Sequence, residues 1–224
     1  MVAAIAILAL AGYSFYAKQR RREDVSALAL RHGFNFDEGD PRAMLDCDLP
    51  LFTLGDDRGI ENTVWGRWKD LDVSAADYWY YTESTDSKGT RRRSYRRFSV
   101  AMMTLPAWLP TLTIQPESIF SWLADKAGFH DIDFESEEFN ARFQVSSENR
   151  KFAFEFVDAR IMRWLLSVDP RYGIQMRGNN IIIFAKTLRP TELFSLIGTA
   201  KELHDRIPDL VWEEYGTGRG AARA

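Results

Sequence analysis

From Ile60 to Leu105 the chain reads as strand, turn, strand, loop, strand, and this stretch restricts the fold more than any other. Ile60 to Trp68 alternates, with Ile60, Val64 and Trp68 assigned to one face. Lys69-Asp70-Leu71-Asp72 supplies a turn, and Val73 to Thr82 is β-prone through Tyr78-Trp79-Tyr80-Tyr81. A polar loop over 83–92 contains Gly89, and Arg93 to Leu105 returns with Phe98, Val100 and Met102 on one side. Side chains of a strand point alternately to its two faces, so alternation predicts an antiparallel sheet with one solvated face.

The second constraint lies at the N-terminus. Residues 2–17 (VAAIAILALAGYSFYA) carry no charge and are followed at once by Lys18-Gln19-Arg20-Arg21-Arg22. A helix over 1–17 would rise about 25 Å, slightly less than the hydrocarbon core of about 30 Å. Lysine and arginine can extend their heads outward to make up the difference. A secretory signal carries its charge before the apolar run and its cleavage site after it. Here the charge follows, and Ala9-Leu10-Ala11 lies inside the run. A core helix is the remaining rival, since short apolar runs can be that instead. The expectation is a single-pass membrane anchor, with the basic flank placing the remainder in the cytoplasm.

Together these features predict an α+β chain: an N-terminal transmembrane helix, then antiparallel sheet with packed helices. The expected parts are an anchor over 1–17 and a basic flank with juxtamembrane helix and linker over 18–48. An α+β domain over 49–215 and a tail over 216–224 follow. Within the domain, Leu49–Leu54 reads as a short strand and Leu112–Ile114 as another. Pro116 opens a helix to about Ala127, with Gly128 as its exit. Two short strands are expected between Phe129 and Val145. Residues 152–156 (FAFEF) alternate like a strand yet run into helical spacing at Ile161, Trp164 and Leu165. Tyr172–Met176 and Ile181–Lys186 read as a hairpin about Gly178-Asn179-Asn180. A last helix runs from Pro190 to about Ile207. Residues 114–121 weakly echo 188–195, the pattern that any strand–Pro–helix junction also produces.

Hydrophobic residues make up 46% of the 224, enough to bury a core and inconsistent with a disordered tail as the main body. A net charge of −3 provides no global basic field, and no nucleic-acid motif surrounds the local basic run, so nucleic acid is not an expected partner. Cys47 is the only cysteine, so no intrachain disulfide forms. No nucleophile elbow, phosphate loop or His-Glu-x-x-His motif is present, and His32, His130 and His204 are scattered. No catalytic residue and no cofactor is assigned.

Two charge clusters remain. Asp131, Asp133 and Glu135 fall at period-2 spacing, followed by Glu137 and Glu138. Such a run could hold a hard cation for metal-assisted hydrolysis, or form the charged edge that keeps strands from pairing wrongly. Arg91-Arg92-Arg93-Ser94-Tyr95-Arg96-Arg97 places five arginines where a loop meets a strand. With Lys18, Arg20, Arg21 and Arg22 they are candidate contacts for anionic lipid headgroups, each worth about 1 kcal/mol near a charged surface. The alternative is a solvated face paired with acidic neighbours.

Glu138-Phe139-Asn140-Ala141-Arg142-Phe143-Gln144-Val145, after the acidic run and before a hydrophobic helix, resembles a stretch in uncharacterised bacterial membrane-associated proteins of unknown function. The segment from Trp65-Gly66-Arg67-Trp68 to Tyr78 resembles them less closely. The resemblance implies a bacterial, membrane-linked setting and no activity. The leading functional expectation is a noncatalytic binding or scaffold module held at a membrane. Its partners would be the membrane, anionic lipid or another protein; a metal-assisted hydrolase is the rival.

Overall fold

The computed structural model describes residues 2–87, 89–116 and 130–217, with the side chains of 2–11 and 130 left out. The helix expected after Pro116, and with it half of the echo between 114–121 and 188–195, lies outside the described residues.

One sheet organises the chain. Its strands are β1 (Asn35–Asp37), β2 (Asp57–Trp68), β3 (Leu71–Thr85), β4 (Arg91–Pro116), β5 (His130–Asp131), β6 (Phe143–Ser147) and β7 (Gly173–Lys186). The order is β1-β2-β3-β4-β6-β5, every pairing is antiparallel, and β7 pairs with β4. β4 is the spine. Its first half lies beside β3 and its last residues beside β6, while β7 follows it from Phe98 to Ile114.

The expected meander is therefore present, with one correction of facing. Ile60 and Val64 do not share a side, because the β2–β3 register shifts between Glu61 and Val64, where Asn62 adopts φ 54°. A bulge of this kind adds a residue and inverts the alternation beyond it. Ile60 joins the core on one face and Val64 the core on the other.

The larger core is built against helices: α1 (Val2–Arg31), α2 (Glu137–Asn140), α3 (Arg150–Phe156), α4 (Ala159–Ser167), α5 (Pro190–His204) and α6 (Asp209–Tyr215). The FAFEF stretch is helix α3. The Asn149 side chain accepts from the Phe152 amide and caps it, and burial of Phe152, Ala153 and Phe156 follows a helical stripe. Asp158 caps α4 in the same way through the amides of Arg160 and Ile161. The 18–48 segment is part of this unit and not a linker, since Val25, Ala29, Phe34 and Met44 are all buried.

The opposite sheet face is sealed by two 3₁₀ turns, Met44–Asp46 and Pro50–Thr53. The strand expected at Leu49–Leu54 is thus a turn. Proline at its start fixes φ and offers no strand donor, and Leu51 and Phe52 plug the second core. Fully buried Gln175 accepts from the Leu51 amide (2.8 Å), and the Tyr78 hydroxyl donates to the Leu51 carbonyl (2.8 Å).

Two further corrections concern β4 and β7. Arg93–Leu105 and Leu112–Ile114 are one strand, and Pro106 and Pro110 do not end it. Thr104 pairs with Asn180, Leu109 with Gly178 and Leu112 with Met176, so β4 spends extra residues in two outward bulges. β7 runs straight past them, and Gly178-Asn179-Asn180 lies within the strand instead of turning a hairpin. Beyond α5, Pro208 is followed by a further helix, α6, that the sequence reading did not anticipate. Gly216 bridges to Ala107, and the Thr217 amide donates to the Pro106 carbonyl (2.9 Å); the remaining tail, 218–224, lies outside the described residues.

Candidate functional site

α1 is one unbroken helix with two different surroundings. From Arg21 onward it is fastened to the sheet. Arg21 donates through Nε and Nη2 to the two oxygens of Asp77 (2.7 and 2.6 Å) and through Nη1 to the Leu188 carbonyl (2.7 Å). Asn62 Nδ2 donates to the same carboxylate (2.8 Å). Lys18 pairs with Glu61 (2.8 Å), and Arg22 with Glu38 (2.7 Å). Before Arg21 the sheet no longer covers it: residues 12–20 are exposed throughout. Tyr13, Phe15 and Tyr16 are 72%, 73% and 64% exposed. Together these three large aromatics form an exposed apolar patch on the helix. Among the described residues no helix is long and apolar enough to cross a membrane. The side chains of 2–11, which make up most of the apolar run, lie outside the described residues.

Beside this exit stands the end of the β3–β4 hairpin. β2 stops pairing at Asp57–Tyr81 and β7 at Lys186–Phe98, so Thr82–Thr85 and Arg91–Ser94 continue as a two-stranded ribbon. The register pairs Trp79 with Arg97, Tyr81 with Tyr95, Glu83 with Arg93 and Thr85 with Arg91. These residues share the face that carries Asp77, the face on which α1 lies. Trp79 and Tyr81 are stacked (6.3 Å, 8°), Tyr81 and Tyr95 touch (5.3 Å), and the Arg93 guanidinium covers the Tyr81 ring (4.5 Å). Gly59 leaves room for this stack, since a Cβ there would stand 2.7 Å from the Trp79 ring. Arg97 reaches over Tyr95 (5.9 Å) and, with Ser14, Ala17, Lys18 and Thr187, lines a recess of about 250 Å³ between α1 and the sheet.

The nine basic candidates therefore divide. Lys18, Arg21 and Arg22 are ion-paired across to the sheet, and Arg20 pairs along its own helix with Asp24 (3.5 Å). Arg93 is held by Glu83 (2.7 Å), which raises its already high pKa. Arg91, Arg92, Arg96 and Arg97 are exposed and make no ion pair among the described residues. The acidic candidates do not gather. Asp131, Asp133 and Glu135 are exposed and alternate with buried Ile132 and Phe134, and Asp131 accepts from Gln144 Nε2 (2.6 Å). Among the described residues no three His, Cys, Asp or Glu side chains are placed to hold a metal ion.

The other reactive side chains are in structural use. Cys47 is half-buried against Met102 (3.8 Å). Burial, then Asp40 and Asp46, push its thiol upward and keep it protonated, a poor nucleophile. His32 stacks on Phe194 (4.5 Å), and His204 lies edge-on to Trp212 with Nδ1 near Asp205 (3.3 Å). Sequence reasoning missed two features: the aromatic stack beneath the arginines, and Trp108 on a β4 bulge. The first was legible only as β-propensity, and the second only as a tryptophan between two prolines.

No family model matches this sequence, and no curated protein matches it either. Among solved structures, the crystal structure of the mycobacterial trehalose monomycolate transport factor A, TtfA, superposes with a TM-score of 0.57. The fold resembles that of TtfA. The alignment takes in 83% of this chain and 93% of that one at 12% identity, so the likeness is one of architecture.

Proposed function

We propose that this chain is a noncatalytic binding or scaffold module held at a membrane by the apolar half of α1, with the arginine ribbon against anionic headgroups. The observation that carries this reading is the change of surroundings along one helix. Its C-terminal part is fixed to the sheet by Arg21 and Asp77, and Tyr13, Phe15 and Tyr16 stand uncovered at the C-terminal end of the uncharged run. Tyrosine at the end of an apolar helix suits the interface between hydrocarbon and water. An unbroken helix also holds the domain at a fixed attitude, and Arg97 lines the recess beside Ser14 and Ala17. The ribbon then meets the surface that the helix enters. The basic flank puts the domain on the cytoplasmic side.

Two further points support a noncatalytic role. The structural neighbour is named a transport factor, and the candidate acids Asp131, Asp133 and Glu135 are exposed and spread from the end of β5 into the segment that follows it. The resemblance of 138–145 to bacterial membrane-associated proteins supports the setting.

The test is fractionation of the full chain. The protein should remain with membranes after both carbonate and high-salt washes, and a C-terminal reporter should behave as cytoplasmic. Release by salt would overturn the anchor, and a periplasmic reporter would overturn the orientation.

A further inference from the structure

At the β4 bulges a second site opens, on the face away from α1. Trp108 is 71% exposed, while its neighbours Ala107 and Leu109 are buried in the helix-side core. The bulge thus turns one indole outward, as bulges beside binding sites do. The ring lies beside Gly178. Gly178 takes φ 59°, a left-handed conformation that suits glycine, and even a Cβ there would stand 3.5 Å from the indole. Trp108 therefore offers an exposed, flat apolar surface. It borders a cleft of about 1050 Å³, at the upper limit of the roughly 300–1,000 Å³ typical of small-molecule sites.

The cleft walls are polar and nearly balanced in charge. Asp46, Asp48 and Glu148 face Arg150 and Arg177. Arg177 is paired with Asp48 (3.1 Å), and Glu148 accepts from the Thr111 amide (3.1 Å). Asn179 and Asn180 add amides, each both donor and acceptor, and Asn180 is steadied by the Thr104 hydroxyl (3.0 Å). Three carboxylates against two guanidinium groups leave no basic excess to hold an anion. The same sheet face continues as a buried polar strip. Thr111 and Gln115 alternate on β4, Gln175 pairs opposite Thr113, and Gln144 opposite Gln115. Among the described residues, four buried atoms of this strip, Thr111 Oγ1, Gln115 Oε1, Gln144 Oε1 and Gln175 Nε2, have no hydrogen-bond partner.

We infer that this cleft binds a neutral, hydroxyl-rich ring compound: a pyranose sugar seated on Trp108. A pyranose has an apolar C–H face that fits the electron-rich face of an indole, and a rim of hydroxyls that both donate and accept. An aromatic platform ringed by carboxylates, amides and guanidinium groups matches both features. Cys47 also lines the cleft, and its raised thiol pKa fits a site that binds without covalent chemistry.

The test uses the full chain in a detergent without a sugar headgroup. Methyl glucoside, methyl mannoside, methyl galactoside, maltose and cellobiose are titrated separately, with sorbitol as an open-chain control. Saturation-transfer NMR reads the ligand, and tryptophan fluorescence reads the protein. At least one pyranoside should bind saturably, with its ring C–H protons receiving the transfer, and sorbitol should not. Trp108→Ala should abolish that response with an unchanged unfolding midpoint, and Trp108→Phe should weaken it several-fold. Absence of saturable binding by all five sugars would overturn the assignment, as would equal binding by Trp108→Ala. None of these outcomes bears on the membrane anchor.

Discussion

Arg21 and Asp77 meet fork to fork, with Nε and Nη2 of the one 2.7 and 2.6 Å from the two oxygens of the other. Their side chains are only 21% and 12% exposed, and this pair fixes the direction in which α1 leaves the domain. Removing one partner leaves a partly buried charge with no counterion. For fully buried pairs the cost is about 3–5 kcal/mol, and the remaining solvent here brings it to about 2–3 kcal/mol. Arg21→Ala should therefore lower the melting temperature of the full chain by roughly 5–10 °C, at about 2–4 °C per kcal/mol for a chain of this size. Arg21→Lys should fall between, since lysine keeps the charge and loses the fork. A melting point unchanged in Arg21→Ala would show that the pair is incidental.

Acid should weaken the start of α5. The Glu192 carboxyl is held down to about 2 from an ordinary value of 4.5. The Arg189 side chain donates to it, the Arg189 amide donates as well (2.9 Å), and Arg171 adds a further donor (3.0 Å). A depressed folded-state pKa contributes stability that is fully present above 4.5 and lost as pH falls toward 2. Asp169 and Asp205 are lowered through Arg171 and Lys201 and act in the same direction. Melting followed from about pH 5 to pH 2 should show a deficit for Glu192→Gln at the upper end that closes as Glu192 protonates. A deficit that stays constant with pH would contradict this.

The ribbon should bind anionic surfaces through its unpaired arginines. Arg91→Ser, Arg92→Ser and Arg96→Ser together leave the Arg93–Glu83 pair in place. Each lost contact is worth about 1 kcal/mol near a charged membrane, so the triple variant should bind markedly less to nanodiscs containing anionic lipid. Its binding should also lose most of its salt dependence. The fold should hold, since exposed substitutions usually stay within about 0.5 kcal/mol. Unchanged binding would make the ribbon an ordinary solvated surface.

The α+β class and the antiparallel meander were legible because alternation is a local signal. What misled was local sequence whose outcome depends on distant partners. Ile60 and Val64 look like one face until the Asn62 bulge inverts the alternation. Phe152, Phe154 and Phe156 look like a strand until Asn149 caps a helix. Gly178-Asn179-Asn180 looks like a turn because nothing in those residues announces the bulges of β4 opposite. At the candidate site, the nine basic residues were visible as charge. Which of them are spent on Glu61, Asp77, Glu38 and Glu83 depends on pairings from 10 to 56 residues apart. Trp108 gave no periodic signal, because its exposure is made by a bulge.

If α1 and the ribbon meet one membrane together, the depth of a probe on the ribbon will report it directly. In a Cys47→Ser background, a nitroxide is placed by Arg92→Cys in one sample and by Ser195→Cys on α5 in another. The full chain is then reconstituted in nanodiscs containing anionic lipid, and collision rates with a lipid-soluble and a water-soluble quencher are compared. The probe at 92 should report headgroup depth, moving outward when the anionic lipid is replaced by neutral lipid, and the probe at 195 should remain in water. Two probes equally accessible to the water-soluble quencher would show that the ribbon does not meet the membrane.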